Sequence, residues 1–174
     1  MILKTERLII RPWTLDDLPH YKAMSIDVGY NCFSPPGIFL VKDENEAAEK
    51  IKARIKLFEE SRIGKFLIFE KSSGDFVGTC GADFFDLDGA KEVELGYRVM
   101  LAHWGKGYAT ESAKEVVSYL LEEVKLKSVF GFALNQNKQS VKILKKIGFK
   151  FLREFMWFAL PHQLFEIKMC DRNT

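Results

Sequence analysis

Residues 93–112, VELGYRVMLAHWGKGYATES, constrain the fold of this chain more than any other segment. An apolar run typical of a buried strand is followed by a loop with two glycines and then by the start of an amphipathic helix. Gly105 and Gly107 lack a Cβ atom, so the backbone there can turn sharply and approach a ligand closely. The following helix begins with N–H groups that have no intrahelical acceptor and with the positive end of the helix dipole. The segment therefore predicts a site for a phosphate-bearing cofactor.

Two common phosphate-binding motifs fit this segment poorly. A P-loop ends in Gly-Lys-Ser/Thr, whereas Lys106 lies between the two glycines with no neighbouring hydroxyl to hold magnesium. A dinucleotide fingerprint needs a third glycine, whose place is taken by Thr110, and an acidic residue at the end of the next strand. The acids at that distance, Glu122 and Glu123, lie in a helical pattern. The P-loop is excluded, and the dinucleotide site is weakly supported.

The loop resembles the acetyl-CoA loop of the GNAT N-acetyltransferases, whose motif is Gln/Arg-x-x-Gly-x-Gly/Ala. Gly107, Tyr108 and Ala109 match the last three places of this motif. Trp104 stands where the motif has Gln or Arg, which is a departure from the pattern. The run at residues 104–111, WGKGYATE, is similar to the form found in the RimJ/RimL-like branch of the superfamily.

Two further segments resemble the same branch. Residues 5–12, TERLIIRP, are similar to its first strand, and NKQS at residues 137–140 with KIGF at residues 146–149 is similar to its last helix. The three segments follow the order and spacing of the family. The resemblance implies an α/β fold of the α+β type, a single GNAT-like domain over residues 1–174. Its central sheet is expected to be twisted, mixed and mostly antiparallel, with about six to seven strands flanked by about four helices.

Apolar periodicity and turn signals predict the same architecture from the residues themselves. Residues 26–41 are expected to form a loop rich in apolar groups. A helix that begins at Asn137 is expected to end at Gly148 in a Schellman motif. Strands are predicted at residues 2–10, 66–70, 76–84, 92–100, 128–134, 150–158 and 163–169, and the other helices at residues 16–24, 44–60 and 109–124.

Composition limits the classes of partner. The 174 residues are 47% hydrophobic, and 26 basic against 24 acidic residues leave a formal net charge of +2, which does not indicate a nucleic-acid surface. No signal-like N-terminal segment and no run of 18 apolar residues are present. We therefore expect a cytoplasmic monomer or homodimer that binds neither nucleic acid nor membrane.

The cysteine and histidine residues show no spacing typical of a metal site or of a paired redox motif. No metal is therefore expected. We expect the cysteines to be buried apolar side chains and the histidines to lie on the surface or in loops. These residues are Cys32, Cys80 and Cys170, and His20, His103 and His162.

The resemblance implies acetyl-CoA as cosubstrate, with its pyrophosphate on the glycine loop. A backbone N–H bond to a charged oxygen contributes roughly 1.5–3 kcal/mol and the helix dipole only about 0.3–1 kcal/mol, so amide contacts are expected to dominate. The family places the pantetheine arm at the end of the preceding strand. One of Lys138, Lys142 and Lys145 is a candidate for the ribose phosphate, although a solvated basic face explains most of them. The predicted cofactor-binding residues are Val99, Met100, Leu101, Trp104, Gly105, Lys106, Gly107, Tyr108, Ala109, Thr110 and Asn137.

Acetyl transfer requires a neutral amine. With reference pKa values near 7.7–8 for an α-amine and near 10.4 for lysine, a lysine-like acceptor depends more on a base. Glu94, on the strand that borders the glycine loop, is the candidate base, acting directly or through water. The alternative is an exposed strand carboxylate beside Glu92.

The departing thiolate benefits from a nearby acid. Many family members use a tyrosine in the last helix, but Leu144 occupies its place here. Ser140, which matches the serine of the RimJ/RimL-like motif, is the remaining catalytic candidate because its hydroxyl can hydrogen-bond developing charge on sulfur. Ser140 and Asn137 could equally serve only the cap of that helix.

Together these observations predict an acetyl-CoA-dependent N-acetyltransferase that acts by direct attack in a ternary complex. The RimJ/RimL-like resemblance implies the N-terminal amine of a protein, ribosomal proteins being the precedent, as the acceptor. A small amine or antibiotic remains open, as does a non-catalytic acyl-CoA-binding module. Tyr30, Phe33 and Phe39, around the turn Pro35-Pro36-Gly37, are expected either to wall the acceptor cleft or to pack in the core.

Overall fold

The computed structural model describes residues 1–34 and 37–169. Eight strands form in this part of the chain: β1 (Leu3–Lys4), β2 (Leu8–Arg11), β3 (Lys65–Glu70), β4 (Phe76–Leu87), β5 (Ala90–Val99), β6 (Ser128–Leu134), β7 (Lys150–Trp157) and β8 (Leu160–Lys168). Five α-helices accompany them: α1 (Leu18–Ile26), α2 (Val28–Asn31), α3 (Glu44–Ser61), α4 (Tyr108–Ser118) and α5 (Lys138–Lys146).

All eight strands belong to one mixed sheet, in the order β1-β2-β3-β4-β5-β6-β8-β7. Neighbours are antiparallel except β5 and β6, which run parallel. The predicted fold class is thus confirmed, with one strand and one helix more than expected.

The additional strand arises at the N-terminus, where one strand over residues 2–10 was predicted and two are found. Thr5 closes a turn between them, because its N–H donates to the Leu8 carbonyl at 3.1 Å and its hydroxyl accepts from the Leu8 N–H at 3.0 Å. No glycine or proline marks this turn. The additional helix, α2, lies in the segment predicted as loop, and Asp27 caps it by accepting from the N–H of Tyr30.

The last hairpin also differs from the prediction, since β8 begins at Leu160 rather than near residue 163. Phe158 and Ala159 have φ values of 47° and 56°, as the two central residues of a type I′ turn do. Neither is the glycine or asparagine that usually announces such a turn.

The two faces of the sheet pack against different helices. Val93 and Leu95 of β5 point toward α4 and pack against its buried residues Ala113 and Val116. Because side chains alternate along a strand, Glu94 points to the opposite side. On that side α1 and α3 form a second apolar cluster around buried residues that include Tyr21, Met24 and Ile51.

The sheet opens between its two parallel strands. Glu94 of β5 and Phe130 of β6 form the one residue pair that joins these strands in the described chain. Beyond this pair β5 continues to Val99 and β6 to Leu134. The opening between their carboxyl ends leaves space for a ligand in the middle of the sheet.

Helix α5 begins and ends as the sequence predicts. The side chain of Asn137 accepts a hydrogen bond from the Ser140 N–H at 3.0 Å. At the other end Gly148 has a φ of 100°, and the Phe149 N–H donates to the Leu144 carbonyl at 3.0 Å. This is the Schellman motif, so both helix boundaries are confirmed.

Candidate active site

The glycine loop between β5 and α4 adopts a backbone that only glycine takes easily. Gly105 and Gly107 have φ values of 77° and 81°, and Gly107 is the N-cap of α4. A Cβ atom at Gly105 would meet nothing within 4 Å, and at Gly107 it would meet only Arg7 Nη2, at 3.5 Å. The backbone conformation, and not lack of space, therefore requires glycine at both positions.

The backbone N–H groups of residues 105–110 donate to no backbone carbonyl in the described part of the chain. One carbonyl group of the loop, that of Lys106, accepts a hydrogen bond from Arg7 Nη1 at 2.9 Å. Arg7 is itself held by Glu111 of α4, at 2.7 Å through Nε and 2.6 Å through Nη2. The loop thus presents N–H donors and has a carbonyl tied to Arg7, as a cradle for an anion requires. The resemblance to a first strand included Arg7 but gave it no role.

A cleft of about 430 Å³ adjoins the loop. Its walls combine the end of β5, the loop, the start of α4 and one side of α5. The predicted cofactor-binding residues that line it are Val99, Trp104, Gly105, Gly107, Tyr108, Ala109, Thr110 and Asn137.

Three of the predicted cofactor-binding residues do not line the cleft. The N–H of Met100 donates to the Val77 carbonyl at 2.9 Å, and that of Leu101 donates to the Asp27 carboxylate at 3.1 Å. The amine of Lys106 lies 3.4 Å from a ring nitrogen of His103. The basic residues Lys138, Lys142 and Lys145 of α5 are exposed and line neither this cleft nor the cavity beside it.

A second cavity, of about 540 Å³, lies in the opening between β5 and β6 and meets the first. One wall comes from the segment after α2, another from the aromatic side chains of β4, β6 and the last hairpin, and its floor is β5. The residues common to both cavities are Tyr30, Cys32, Phe33, Tyr97, Arg98, Asn137 and Ser140.

Glu94 lies in the second cavity and is not an exposed carboxylate, since only 15% of its side chain is accessible. The Lys65 amine lies 3.5 Å from Glu94 Oε2 and 3.7 Å from Asp83 Oδ2. A Cβ atom at Gly96 would lie 2.5 Å from that amine, so this glycine leaves room for it. Burial raises the pKa of Glu94, although Lys65 opposes the rise. Glu94 is therefore a carboxylate of increased basicity, held in place by one cation.

Ser140 serves the helix cap and also has a hydroxyl partner that sequence reasoning missed. The phenolic oxygen of Tyr97 lies 2.9 Å from Ser140 Oγ and donates to the Ser140 carbonyl at 3.0 Å. Burial raises the pKa of Tyr97, which keeps the phenol protonated. Leu144, in the place of the family tyrosine, is buried in the core. A tyrosine hydroxyl thus reaches this region from β5 instead of from α5, and alternation along β5, which puts Tyr97 on the same side as Val93 and Leu95, was the signal that could have found it.

The aromatic segment after α1 belongs both to the core and to the cavity wall. Tyr30 is 2% exposed, and its hydroxyl lies 2.6 Å from Thr79 Oγ1, whereas Phe33 is 41% exposed. Tyr30, Phe33 and Phe39 all line the second cavity. The prolines at positions 35 and 36 lie outside the described residues.

The cysteine and histidine expectations hold in part. Cys80 is buried, and burial raises the pKa of its thiol to about 12, but Cys32 is exposed, contrary to expectation. Its place at the mouth shared by the two cavities explains that exposure. His162 is buried in β8 against the rings of Phe132 and Phe155, so its predicted surface location is wrong. Cys170 lies outside the described residues.

Two kinds of feature are absent from the described residues, a metal cluster and a membrane-spanning helix. No group of three or more His, Cys, Asp or Glu side chains within residues 1–34 and 37–169 could hold a metal ion. Across the same residues, no helix combines the length and the apolar character needed to span a membrane.

Residues 7–150 match the family described as "Acetyltransferase (GNAT) domain". The chain is 28% identical to the N-acetyltransferase p20 of Bacillus licheniformis over 151 residues, which are 85% of this chain and 82% of that protein. It is 29% identical to the N-acetyltransferase YoaA of Bacillus subtilis over 166 residues, 90% and 88% of the two chains.

A solved structure of RimL, a ribosomal L7/L12 alpha-N-protein acetyltransferase in complex with coenzyme A, superposes with a TM-score of 0.82. The superposition covers 97% of this chain and 98% of that chain at 11% identity, which shows a shared fold. The family match extends over most of the chain and includes both the glycine loop and α5. The chain therefore belongs to the GNAT acetyltransferase family and is an acetyl-CoA-dependent N-acetyltransferase.

Proposed function

We propose that this protein transfers the acetyl group of acetyl-CoA to a primary amine by direct attack within a ternary complex. The junction of the two cavities is the observation that carries this proposal. Tyr97 and Ser140 line both cavities, so a thioester in one cleft and an amine in the other could meet beside them. No covalent acetyl-enzyme is required, and the buried Cys80 thiol with its raised pKa is unsuited to form one.

The cleft beside the glycine loop is the proposed site of acetyl-CoA, which supplies an activated acyl group as its thioester. Free amides at residues 105–110 would bind the pyrophosphate, while Arg7 holds the Lys106 carbonyl. Val99 and Trp104 line the cleft where β5 ends. Trp104 donates from its indole to the Val99 carbonyl at 2.8 Å and so fixes the loop against the strand.

Glu94 is the proposed general base, acting directly or through one water. As the amine nitrogen forms its bond to the acyl carbon, the carbon–sulfur bond breaks and the amine loses a proton to the carboxylate. The raised pKa of Glu94 makes it a stronger base than an ordinary carboxylate, and Lys65, 3.5 Å away, favours its ionised form.

The hydroxyl pair Tyr97–Ser140 is proposed to receive the departing thiolate. The single phenolic hydrogen of Tyr97 can go either to the Ser140 carbonyl or to Ser140 Oγ, and in the second arrangement the Ser140 hydroxyl hydrogen is available for sulfur. A hydrogen bond to developing negative charge stabilises the transition state more than the ground state.

Two classes of acceptor are proposed, a protein N-terminus and a small amine. A protein N-terminus is supported by the RimJ/RimL-like sequence motifs and by the fold shared with RimL. A small amine is supported by the shape of the second cavity, which is partly enclosed by aromatic side chains, including Phe85, Phe132 and Trp157.

A thiol-release assay tests the proposed function. Wild-type protein and acetyl-CoA are incubated with peptides of different first residues, polyamines, aminoglycosides and amino acids, and free coenzyme A is measured. Glu94→Gln should lower the rate with any acceptor that is found, while the matched change Glu92→Gln on the same strand should not. Binding of acetyl-CoA without thiol release from any acceptor would favour a non-catalytic binding module instead.

A further inference from the structure

The acceptor cavity contains three cationic side chains and only two acids. Arg54, Lys65 and Arg98 line it together with Asp83 and Glu94. Lys65 lies within 4 Å of both carboxylates, at 3.7 Å and 3.5 Å. Neither arginine forms an ion pair with any carboxylate of the described chain. Lys65 therefore bridges the two acids, whereas Arg54 and Arg98 form a cationic end of the cavity without an ion-pair partner in the described residues.

Arg98 has hydrogen-bond donors to spare. Its Nη1 donates to the Tyr30 carbonyl at 3.3 Å and to Ser34 Oγ at 2.5 Å. Nε and Nη2 have no acceptor in residues 1–34 and 37–169, and neither atom is sealed from the cavity. The guanidinium group lies over the Phe39 ring, 5.0 Å from its centroid, which restricts its orientation. A largely buried guanidinium without an anionic partner is costly, and a carboxylate is a group that its planar fork matches.

Arg54 reaches the same cavity from α3. Its guanidinium lies 5.2 Å from the centroid of the Trp13 ring and 5.7 Å from that of Tyr21. The Arg98 guanidinium lies 6.0 Å from the centroid of the Tyr30 ring, and both arginines line the cavity together with Tyr30. The two unpaired arginines thus define one cationic end of the cavity.

An apolar wall completes the cavity on the other side of Glu94. The rings of Phe85, Phe132 and Trp157 contact one another, with centroid separations of 5.6 Å, 5.2 Å and 6.1 Å. Among the described residues, the apolar cluster that contains these rings is formed by strand residues, and the rings line the cavity directly. Such a wall suits an aromatic or long aliphatic body.

We propose that the acceptor is a small amine of the amino-acid type, with a carboxylate held by Arg98 and Arg54, an apolar body on the aromatic wall and its amine turned toward Glu94. This inference rests on the proposed function and narrows its acceptor class. A peptide N-terminus offers a neutral amide where this acceptor has a carboxylate, and polyamines and aminoglycosides offer further cations. The cationic end of the cavity disfavours all three.

Matched acceptors test the proposal. The ratio of kcat/KM is measured for phenylalanine against phenylalaninamide, and for 5-aminopentanoate against pentylamine, so that two spacings between amine and carboxylate are covered. The ratio is compared between wild type, Arg98→Gln, Arg98→Lys and Arg54→Gln. Comparing ratios between proteins cancels the different amine pKa values. Arg153→Gln, which removes an arginine paired with Asp88 outside both cavities, is the control.

Calculated per neutral amine, the wild-type kcat/KM should be higher for the carboxylate than for its partner in at least one pair. Arg98→Gln should reduce that preference on the order of tenfold, as loss of a charge-assisted hydrogen bond does. Arg98→Lys keeps the charge but loses the planar guanidinium group. Its preference for the carboxylate should therefore lie between those of wild type and Arg98→Gln. Arg54→Gln should reduce the preference less, and Arg153→Gln should leave it unchanged. Melting temperatures identify any variant that fails to fold.

Two results would overturn the proposal. One is a wild-type kcat/KM, calculated per neutral amine, that is higher for phenylalaninamide or for a Phe-initiated peptide than for phenylalanine. The other is a rise in the KM of acetyl-CoA in Arg98→Gln with equal losses for all acceptors, which would assign Arg98 to the cofactor cleft. If no amine supports thiol release, the proposed function fails separately. Calorimetric titration of phenylalanine against phenylalaninamide then decides the inference, which requires tighter binding of the former.

Discussion

The hydroxyl groups of Tyr97 and Ser140 lie 2.9 Å apart, although 43 residues separate them in sequence. Tyr97→Phe should therefore lower kcat on the order of tenfold, because one hydrogen bond that supports a developing charge contributes roughly 1.5–3 kcal/mol. Ser140→Ala should lower kcat by at least as much, since its hydroxyl is the group nearest the sulfur in our proposal. Steady-state kinetics and acetyl-CoA binding are the measurements, and the binding constant should hold.

The matched control for this pair is Tyr119→Phe. The Tyr119 hydroxyl is also hydrogen-bonded, to the Arg62 carbonyl at 2.8 Å, but it lies in the core away from both cavities. Its loss should cost stability without changing kcat. Equal kcat losses in Tyr97→Phe and Tyr119→Phe would show that the first effect is structural.

Glu94→Gln should reduce turnover most at neutral pH and less above the pKa of the acceptor amine, which is near 8 for an α-amine, because the amine there loses its proton unaided. In the wild type, kcat/KM should fall on the acid side as Glu94 becomes protonated. Burial raises the pKa of Glu94, so this limb should lie at higher pH than for an ordinary carboxylate. The pH profile of kcat/KM is the measurement. A loss that is constant across pH, or absent, would assign the base role to another group.

Features specified by neighbouring residues could be predicted from the sequence. The glycine loop, the Asn137 cap and the Gly148 stop each depend on residue types within one turn of chain, and each was located correctly. Turns without such residues were missed, as at Thr5 and at Phe158, where ordinary side chains are held in place by the strands they join. Hairpin pairing outweighs local preference there.

The residues of the candidate site could likewise be predicted only where neighbouring residues in the sequence indicate them. Glu94 could be proposed because it lies next to the loop in sequence, but its ion pair depends on Lys65, 29 residues away on another strand. The roles of Tyr97 and Arg98 depend on which side of β5 each occupies and on what lies opposite. Those facts require the register of β5 against β4 and the position of α2 and α5, which no local pattern supplies.

Acetyl-CoA should raise the melting temperature of the wild type in proportion to occupancy, and Gly107→Ala should weaken this effect. An alanine at φ 81° costs about 1 kcal/mol or more, and relief of that strain would turn the amides of the loop away from the phosphate. Gly107→Glu should abolish binding by adding a like charge. Thermal shift and calorimetric titration measure both effects, and NAD or ATP should not substitute.

Gly89→Ala is the control for the loop. Gly89 has a φ of 87°, and a Cβ atom there would meet nothing within 4 Å, so it shares the strain of Gly107 but lies in the turn between β4 and β5. It should lower stability by a similar amount and leave acetyl-CoA affinity unchanged. Unchanged affinity in Gly107→Glu would contradict the assignment of the loop.

Asp17 should make stability depend on pH. Its carboxylate accepts from Arg11 at 2.6 Å and from the Thr14 N–H at 2.7 Å, and only 3% of its side chain is exposed. Burial opposes ionisation, but these hydrogen bonds prevail and lower the pKa of Asp17 below 3.8. Because the pKa of Asp17 is lower in the folded than in the unfolded protein, this carboxylate stabilises the fold at pH values above its unfolded-state pKa. That stabilisation is lost as pH falls through the folded-state pKa.

Asp17→Asn should accordingly cost about 3 kcal/mol at pH 7, because it leaves Arg11 without its partner. The cost should shrink in acid, below about pH 4, where the wild-type carboxyl begins to be protonated on unfolding. Urea unfolding at several pH values measures the difference. Asp16→Asn, which changes the neighbouring exposed carboxylate, is the control and should change stability little at any pH.

Phe33 and Tyr30 line the same cavity but should respond differently to truncation. Phe33 is 41% exposed, so Phe33→Ala should raise the KM of the acceptor while melting temperature and acetyl-CoA affinity change little. Tyr30 is 2% exposed, and Tyr30→Ala should lower the free energy of unfolding by about 3–5 kcal/mol, as loss of a buried aromatic does. Urea unfolding and acceptor kinetics, measured on both variants, distinguish a residue of the cavity wall from a residue of the core. If Phe33→Ala were as destabilising as Tyr30→Ala and left the acceptor KM unchanged, the segment would be core throughout and the acceptor would bind elsewhere.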